Sequence, residues 1–260
     1  MSANRRSRAQ EPDAPKAAPI AVGVDGCPGG WIAAVLSTDS IHWHRAAVGD
    51  FADLIRTCLP KSDVPAVLAV DMPIGLMDQG WRDCDLQAKA ALGAAGARVF
   101  LTPPREIVQL GPNVPNEEVQ RRCREMTGKG ISRQALALAP RILEVDRCLP
   151  DPRIVEAHPE LSFAAMAGRV LASKHGPAGI EERIAVLDAH WLASTGMGDI
   201  FNTGGTANVL DDRPSGVPVV DALDALAVAW TAQRHLRGVS RSTPEHPLSD
   251  QRGVPMAIIT

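Results

Sequence analysis

Three short apolar runs along the chain lead into a carboxylate: Ile20–Asp25 (IAVGVD), Ala66–Asp71 (AVLAVD) and Arg153–Ala157 (RIVEA), which carries Glu156. Bounded runs of this length, rich in Val and Ile, predict buried strands. Trp31–Ser37 and Ile41–Val48 read as two more strands after the first. The segment Gly26-Cys-Pro-Gly-Gly30 sets a tight turn between strands one and two, because glycine tolerates positive φ and proline fixes its own. The chain therefore opens as a β-meander. Asp50 is placed to cap a short helix through Cys58.

The middle of the chain changes character. Arg82–Leu92, Asn116–Met126 and Ser132–Leu149 have helical composition and are separated by Gly and Pro breaks. Glu182–Leu192 reads as a further helix. Val219–Leu236 is the clearest one, with apolar residues along one side and Pro218 just before it. The order is three strands, a helix, a strand, a helical insertion at about 82–149, a strand and a closing helix. That order predicts an α/β fold on a mixed sheet, since the first strands are hairpin-linked. One domain over residues 19–237 accommodates it. Residues 1–18 are polar and rich in Pro and Ala and predict a disordered tail, and 238–260 form a C-terminal extension.

Composition narrows the picture. With five Trp, four Phe and no Tyr, the core must be built from Ala, Val, Leu and Ile. A net charge of −3 argues against non-specific coating of nucleic acid but leaves room for a local basic groove. The run Arg121-Arg-Cys-Arg124, offset by Glu117, Glu118 and Glu125, reads as a solvated helix face. Five widely spaced cysteines without a CxxC pair argue against a disulfide framework or a structural zinc site. No secretory signal and no run of about 18 apolar residues is present, so the expectation is a cytoplasmic protein without a membrane partner.

The candidate chemistry lies in the acids. Asp25, Asp71 and Glu156 sit at strand ends, where α/β sheets bind ligands. Clustered there, they would repel one another unless a cation held them, and hard oxygen ligands suit Mg²⁺ or Mn²⁺. Asp221 and Asp224, three residues apart on the closing helix, share a face. Asp221 reads equally as a helix cap, whereas Asp224 lies deeper and favours a site role. His158, directly after the third run, would orient a phosphate, shuttle a proton or fill a turn. Arg105 and Lys174 are candidate phosphate contacts. The Gly26–Gly30 turn is a weak nucleotide signal, matching neither GxGxxG nor GxxxxGK[ST].

Seven segments in order, VGVDGCPGGW (22–31), VDMPIGL (70–76), RDCD (82–85), VFLTPPR (99–105), ISRQALALAPRILEVD (131–146), VEAHPELSF (155–163) and DALDALAVAWTA (221–232), resemble a prokaryotic domain-of-unknown-function family. That family is classed as predicted nucleases with a ribonuclease-H-like fold. The resemblance implies a ribonuclease-H-like mixed sheet with flanking helices and a helical insertion. It also implies two divalent ions held by Asp25, Asp71 and Asp221 or Asp224, with Glu156 as an added ligand. The chain departs from the family pattern at Arg98, where a small hydroxyl residue is common, and at Val220, where an acid is common.

The expected function is then a metal-dependent phosphodiester hydrolase acting on nucleic acid. Its alternatives are an ATP-dependent phosphotransferase or ATPase on the same core, for which Asn202–Gly205 is a poor second glycine motif, and a non-catalytic binding module.

Overall fold

A computed structural model describes residues 18–37, 40–61, 63–110, 114–194 and 205–260, with the side chains of 191–194 left aside. The expectations for the N-terminal tail, residue 18 excepted, and for Asn202–Gly204 fall outside these residues.

Three strands, β1 (Ile20–Cys27), β2 (Gly30–Leu36) and β3 (Ile41–Ala47), form the antiparallel meander. The turn between β1 and β2 is tighter than the glycine run suggests. Gly26 and Cys27 stay in the ladder, and only Pro28 and Gly29 (φ +77°) lie between the paired Cys27 and Gly30. Gly29 takes the left-handed position that Pro28 cannot. Helix α1 (Phe51–Cys58) follows, then β4 (Ala66–Val70), which pairs in parallel with β1.

The Asp50 side chain makes no capping hydrogen bond. Glu144, far along the chain, takes that role: its Oε1 accepts from the N–H of Phe51 at 2.7 Å, from that of Gly49 at 2.9 Å and from the Trp31 indole at 3.1 Å.

Between β4 and β5 (Ile154–Ala157) run α2 (Asp83–Ala91), a 3₁₀ turn at Gly93–Arg98, α3 (Arg105–Leu110), α4 (Asn116–Thr127) and α5 (Arg133–Asp146). After β5 come α6 (Pro159–Ala167), α7 (Pro177–Ser194), α8 (Gly205–Asp211) and α9 (Val219–Leu236). Two short strands close the sheet, β6 (Ser242–Thr243) and β7 (Ile258–Ile259). The order is β3-β2-β1-β4-β5-β7-β6, with β1, β4, β5 and β7 mutually parallel. This mixed α/β sheet flanked by helices is consistent with the ribonuclease-H-like fold expected. The extension beyond residue 237 thus contributes two strands that the sequence pattern does not predict.

Strand alternation divides the core into two layers. Ala21, Ile32, Ala34, Val67 and Ala69 face α6, α7, α8 and α9, while Val22, Val24, Leu68 and Val70 face α1, α3 and α5. Helix α9 lies directly on β1 because Gly23 has no side chain. A Cβ there would stand 2.1 Å from the Ala225 carbonyl oxygen and 2.2 Å from the Ala229 nitrogen. Gly23→Ala must push the helix away from the sheet. The expected cost is about 1–3 kcal/mol, read as a lower urea midpoint.

Among the described residues no helix is long and apolar enough to cross a membrane. None of the five cysteines is disulfide-bonded, and all but Cys148 are buried.

Candidate functional site

The β1–β4 register sets Val24 against Val70, and the Asp71 N–H continues the ladder by donating to the Val24 carbonyl at 2.9 Å. Asp25 and Asp71 therefore leave neighbouring strands side by side, at the roughly 4.8 Å spacing of paired strands. Alternation sends both toward the α9 face. Pro218 starts α9 so that Asp221 falls in its first turn and Asp224 one turn further, above the same sheet edge. Gly23 brings that helix close enough for the four carboxylates to interact.

Asp224 is 1% exposed and Asp25 8%, while Asp71 and Asp221 are half-buried. Burial, with the charges of Asp71 and Asp224 added, holds the Asp25 carboxyl well above its ordinary range. Burial also lifts Asp71 to about 7, against the pull of Lys174. Asp224 is lifted to about 6 by burial, again against Lys174, and burial raises Asp221 as well. Hydrogen bonding compensates little of this charge. Asp25 Oδ1 accepts from the Gly26 N–H at 2.7 Å, and Asp224 Oδ1 is buried without a partner.

Glu156 is placed differently. It is level with Val70, not with Asp71, so alternation turns it to the other face of the sheet. There Arg82, 1% exposed, grips it through both oxygens, Nη1 to Oε2 at 2.7 Å and Nη2 to Oε1 at 2.8 Å. The Ile74 N–H donates to Oε2 at 2.7 Å. Arg82 also pairs with Asp85, whose Oδ2 accepts from the Thr102 N–H at 2.7 Å. Burial raises the Glu156 carboxyl although Arg82 opposes it. The structure thus commits Glu156 to Arg82 and does not bring it into the group formed by Asp25, Asp71, Asp221 and Asp224.

A pocket of about 500 Å³ wraps the carboxyl edge between these two groups. Lys174 and His158 line it. Lys174 makes an ion pair with Asp224 Oδ2, and that pairing, with Asp25 and Asp71 nearby, raises its pKa despite burial. His158 caps α6, its Nδ1 accepting from the Glu160 N–H at 3.2 Å, and burial lowers its pKa. Arg105 is not brought to the pocket. It pairs with Asp146 and Asp250, both at 2.7 Å, and so ties the C-terminal segment to α5.

Besides Arg82, two more arginines without a role in the sequence pattern line the pocket, Arg98 and Arg141. Arg98 pairs with Glu160 at 2.5 Å, which gives the family departure at this position a structural partner. Arg141 donates to the Cys27 carbonyl at 2.7 Å, close to the β1–β2 turn. Arg121 and Arg122, by contrast, are spent on Glu118, Glu125 and Glu106. The basic run is a self-neutralised helix face.

Asp25 and Asp71, adjacent at the edge of a pocket, are the two carboxylates here that could hold a divalent cation. Such an ion takes one or two carboxylates and completes its shell with water and substrate oxygens. Among the described residues no group of three or more His, Cys, Asp or Glu side chains is placed to hold a metal ion.

A family model described as "Protein of unknown function (DUF429)" matches residues 23–249. No curated protein and no solved structure matches the chain.

Proposed function

The chain belongs to the DUF429 family, and from the site it builds we propose that it is a divalent-metal-dependent phosphodiester hydrolase acting on nucleic acid. The observation that carries this reading is the pair Asp25 and Asp71, set side by side with raised pKa values at the edge of a pocket that also presents cations. A buried negative cluster without enough hydrogen-bond donors is stabilised by a bound cation.

Asp25 and Asp71 would hold the metal, with Asp221 half-buried beside them to orient its water shell. A bound divalent ion lowers the pKa of water and offsets charge developing on a phosphodiester. Arg98 and Arg141 place positive charge on the pocket wall, where they would position phosphate oxygens. His158 uses Nδ1 to accept from the Glu160 N–H, so its neutral ring carries its proton on Nε2 and would donate a hydrogen bond to a phosphate oxygen.

Mn²⁺ titration by calorimetry tests the reading. The intact protein is expected to bind, and Asp25→Asn to lose at least about tenfold in affinity. No binding by the intact protein, even with an oligonucleotide present, overturns it. A non-catalytic binding module is the second reading, favoured by the pairing of Glu156 with Arg82 and of Asp224 with Lys174. It predicts a melting temperature that neither Mn²⁺ nor a chelator alters.

A further inference from the structure

The loop between α6 and α7 holds Lys174 in a fixed place. Arg98 Nη1 donates to the Leu171 carbonyl at 3.0 Å, and Arg183, fully buried, donates to the Ala172 carbonyl at 3.0 Å. The Ala172 N–H in turn donates to Glu182 Oε2 at 2.7 Å. Glu160 clamps both arginines, Arg98 at 2.5 Å and Arg183 at 2.6 Å. A lysine that reached out to collect phosphates would not need such anchoring. This one is delivered to a single partner, Asp224.

We infer that Lys174 is the resident second cation of the site, so that the cluster takes one divalent ion, on Asp25 and Asp71, while the ammonium occupies the closing-helix acid. The inference rests on the metal-dependent reading above and sharpens it. Two-ion sites need a carboxylate on each side of the ion pair. Here the deeper helix acid, 1% exposed, does not line the pocket, whereas Lys174 does. The positive charge that a substrate meets from that side is therefore the ammonium. An ammonium is a compact charge with three donors, able to hold one carboxylate and still face a phosphate oxygen.

Removing the ammonium frees Asp224 Oδ2 beside Oδ1, which already lacks a partner, and so opens a second cation position. The test is Mn²⁺ stoichiometry by calorimetry on the full chain, with spin–spin coupling between bound ions as a second readout. The intact protein is expected to bind one ion, Lys174→Met two, and Lys174→Arg one again. Thermal melts confirm that each variant is folded, and the count on the intact protein stands without any variant. Two ions on the intact protein overturn the inference and leave the metal-dependent reading in place. A single ion on Lys174→Met likewise overturns it. No ion on the intact protein overturns both.

Discussion

Arg82→Met is expected to destabilise the protein by about 3–5 kcal/mol, the loss typical of removing one partner from a buried ion pair. Arg82, Asp85 and Glu156 are 1%, 2% and 6% exposed. One guanidinium serves two carboxylates and also donates to the Ile74 carbonyl at 3.0 Å. Without it, two acids face each other in the interior with only the N–H groups of Ile74 and Thr102 and the weakly donating Cys84 thiol as donors. Methionine fills much of the volume but supplies no donor. Denaturant unfolding measures the loss, and the double variant Arg82→Met/Glu156→Gln should recover part of it, because one of the stranded charges is gone. An Arg82→Met protein as stable as the original would show that the network is dispensable.

Asp71→Asn is expected to act in opposite directions on binding and on stability. Mn²⁺ affinity should fall by more than the roughly 10–100-fold that loss of an outer-shell partner costs. Without metal, the same variant should be more stable than the original above neutral pH. The Asp71 pKa is raised from 3.8 to about 7 in the fold, so the folded state holds its proton more tightly than the unfolded chain does. Its contribution is complete below pH 3.8 and is lost as pH rises through 7. Asparagine does not titrate and escapes that loss. The stability difference should be near zero at pH 4 and reach about 2 kcal/mol at pH 8, after discounting for the partial exposure of Asp71. Melting curves in chelator across that range measure it. A constant difference at all pH values would contradict the raised pKa. A site that costs stability when empty is the expected signature of a cluster built for a ligand.

The outline of the fold was legible where local pattern and tertiary role coincide. Val219–Leu236 is such a case, since proline at its start and apolar residues along its length say the same thing. The strand-end positions of Asp25 and Asp71 were legible too, as residues in sequence. Whether Glu156 joined them was not. That depends on which residue of β4 lies opposite it, and a one-residue offset in register reverses the face. Glu144 was invisible as the cap of α1 because its partners Gly49 and Phe51 lie more than ninety positions away. Arg105 follows a Pro-Pro pair as a loop cation would, yet the partners that claim it, Asp146 and Asp250, come from two distant segments. Strands β6 and β7 have two residues each and offer too few positions for any periodicity to register.

The placement of β7 beside β5 bears on how fast the molecule assembles. Ile258 and Ile259 pair with Glu156 and Ala157 across about a hundred intervening residues, and β4 pairs with β5 across more than eighty. The meander of β1, β2 and β3 closes through turns of a few residues, so its search is short. The parallel half must bring distant segments together before any pairing rewards the lost freedom. Refolding should accordingly be slow and staged: amides of β1 and β2 gain protection from hydrogen exchange early, and those of β5 and β7 last. Pulse-labelled exchange during refolding would read that sequence directly.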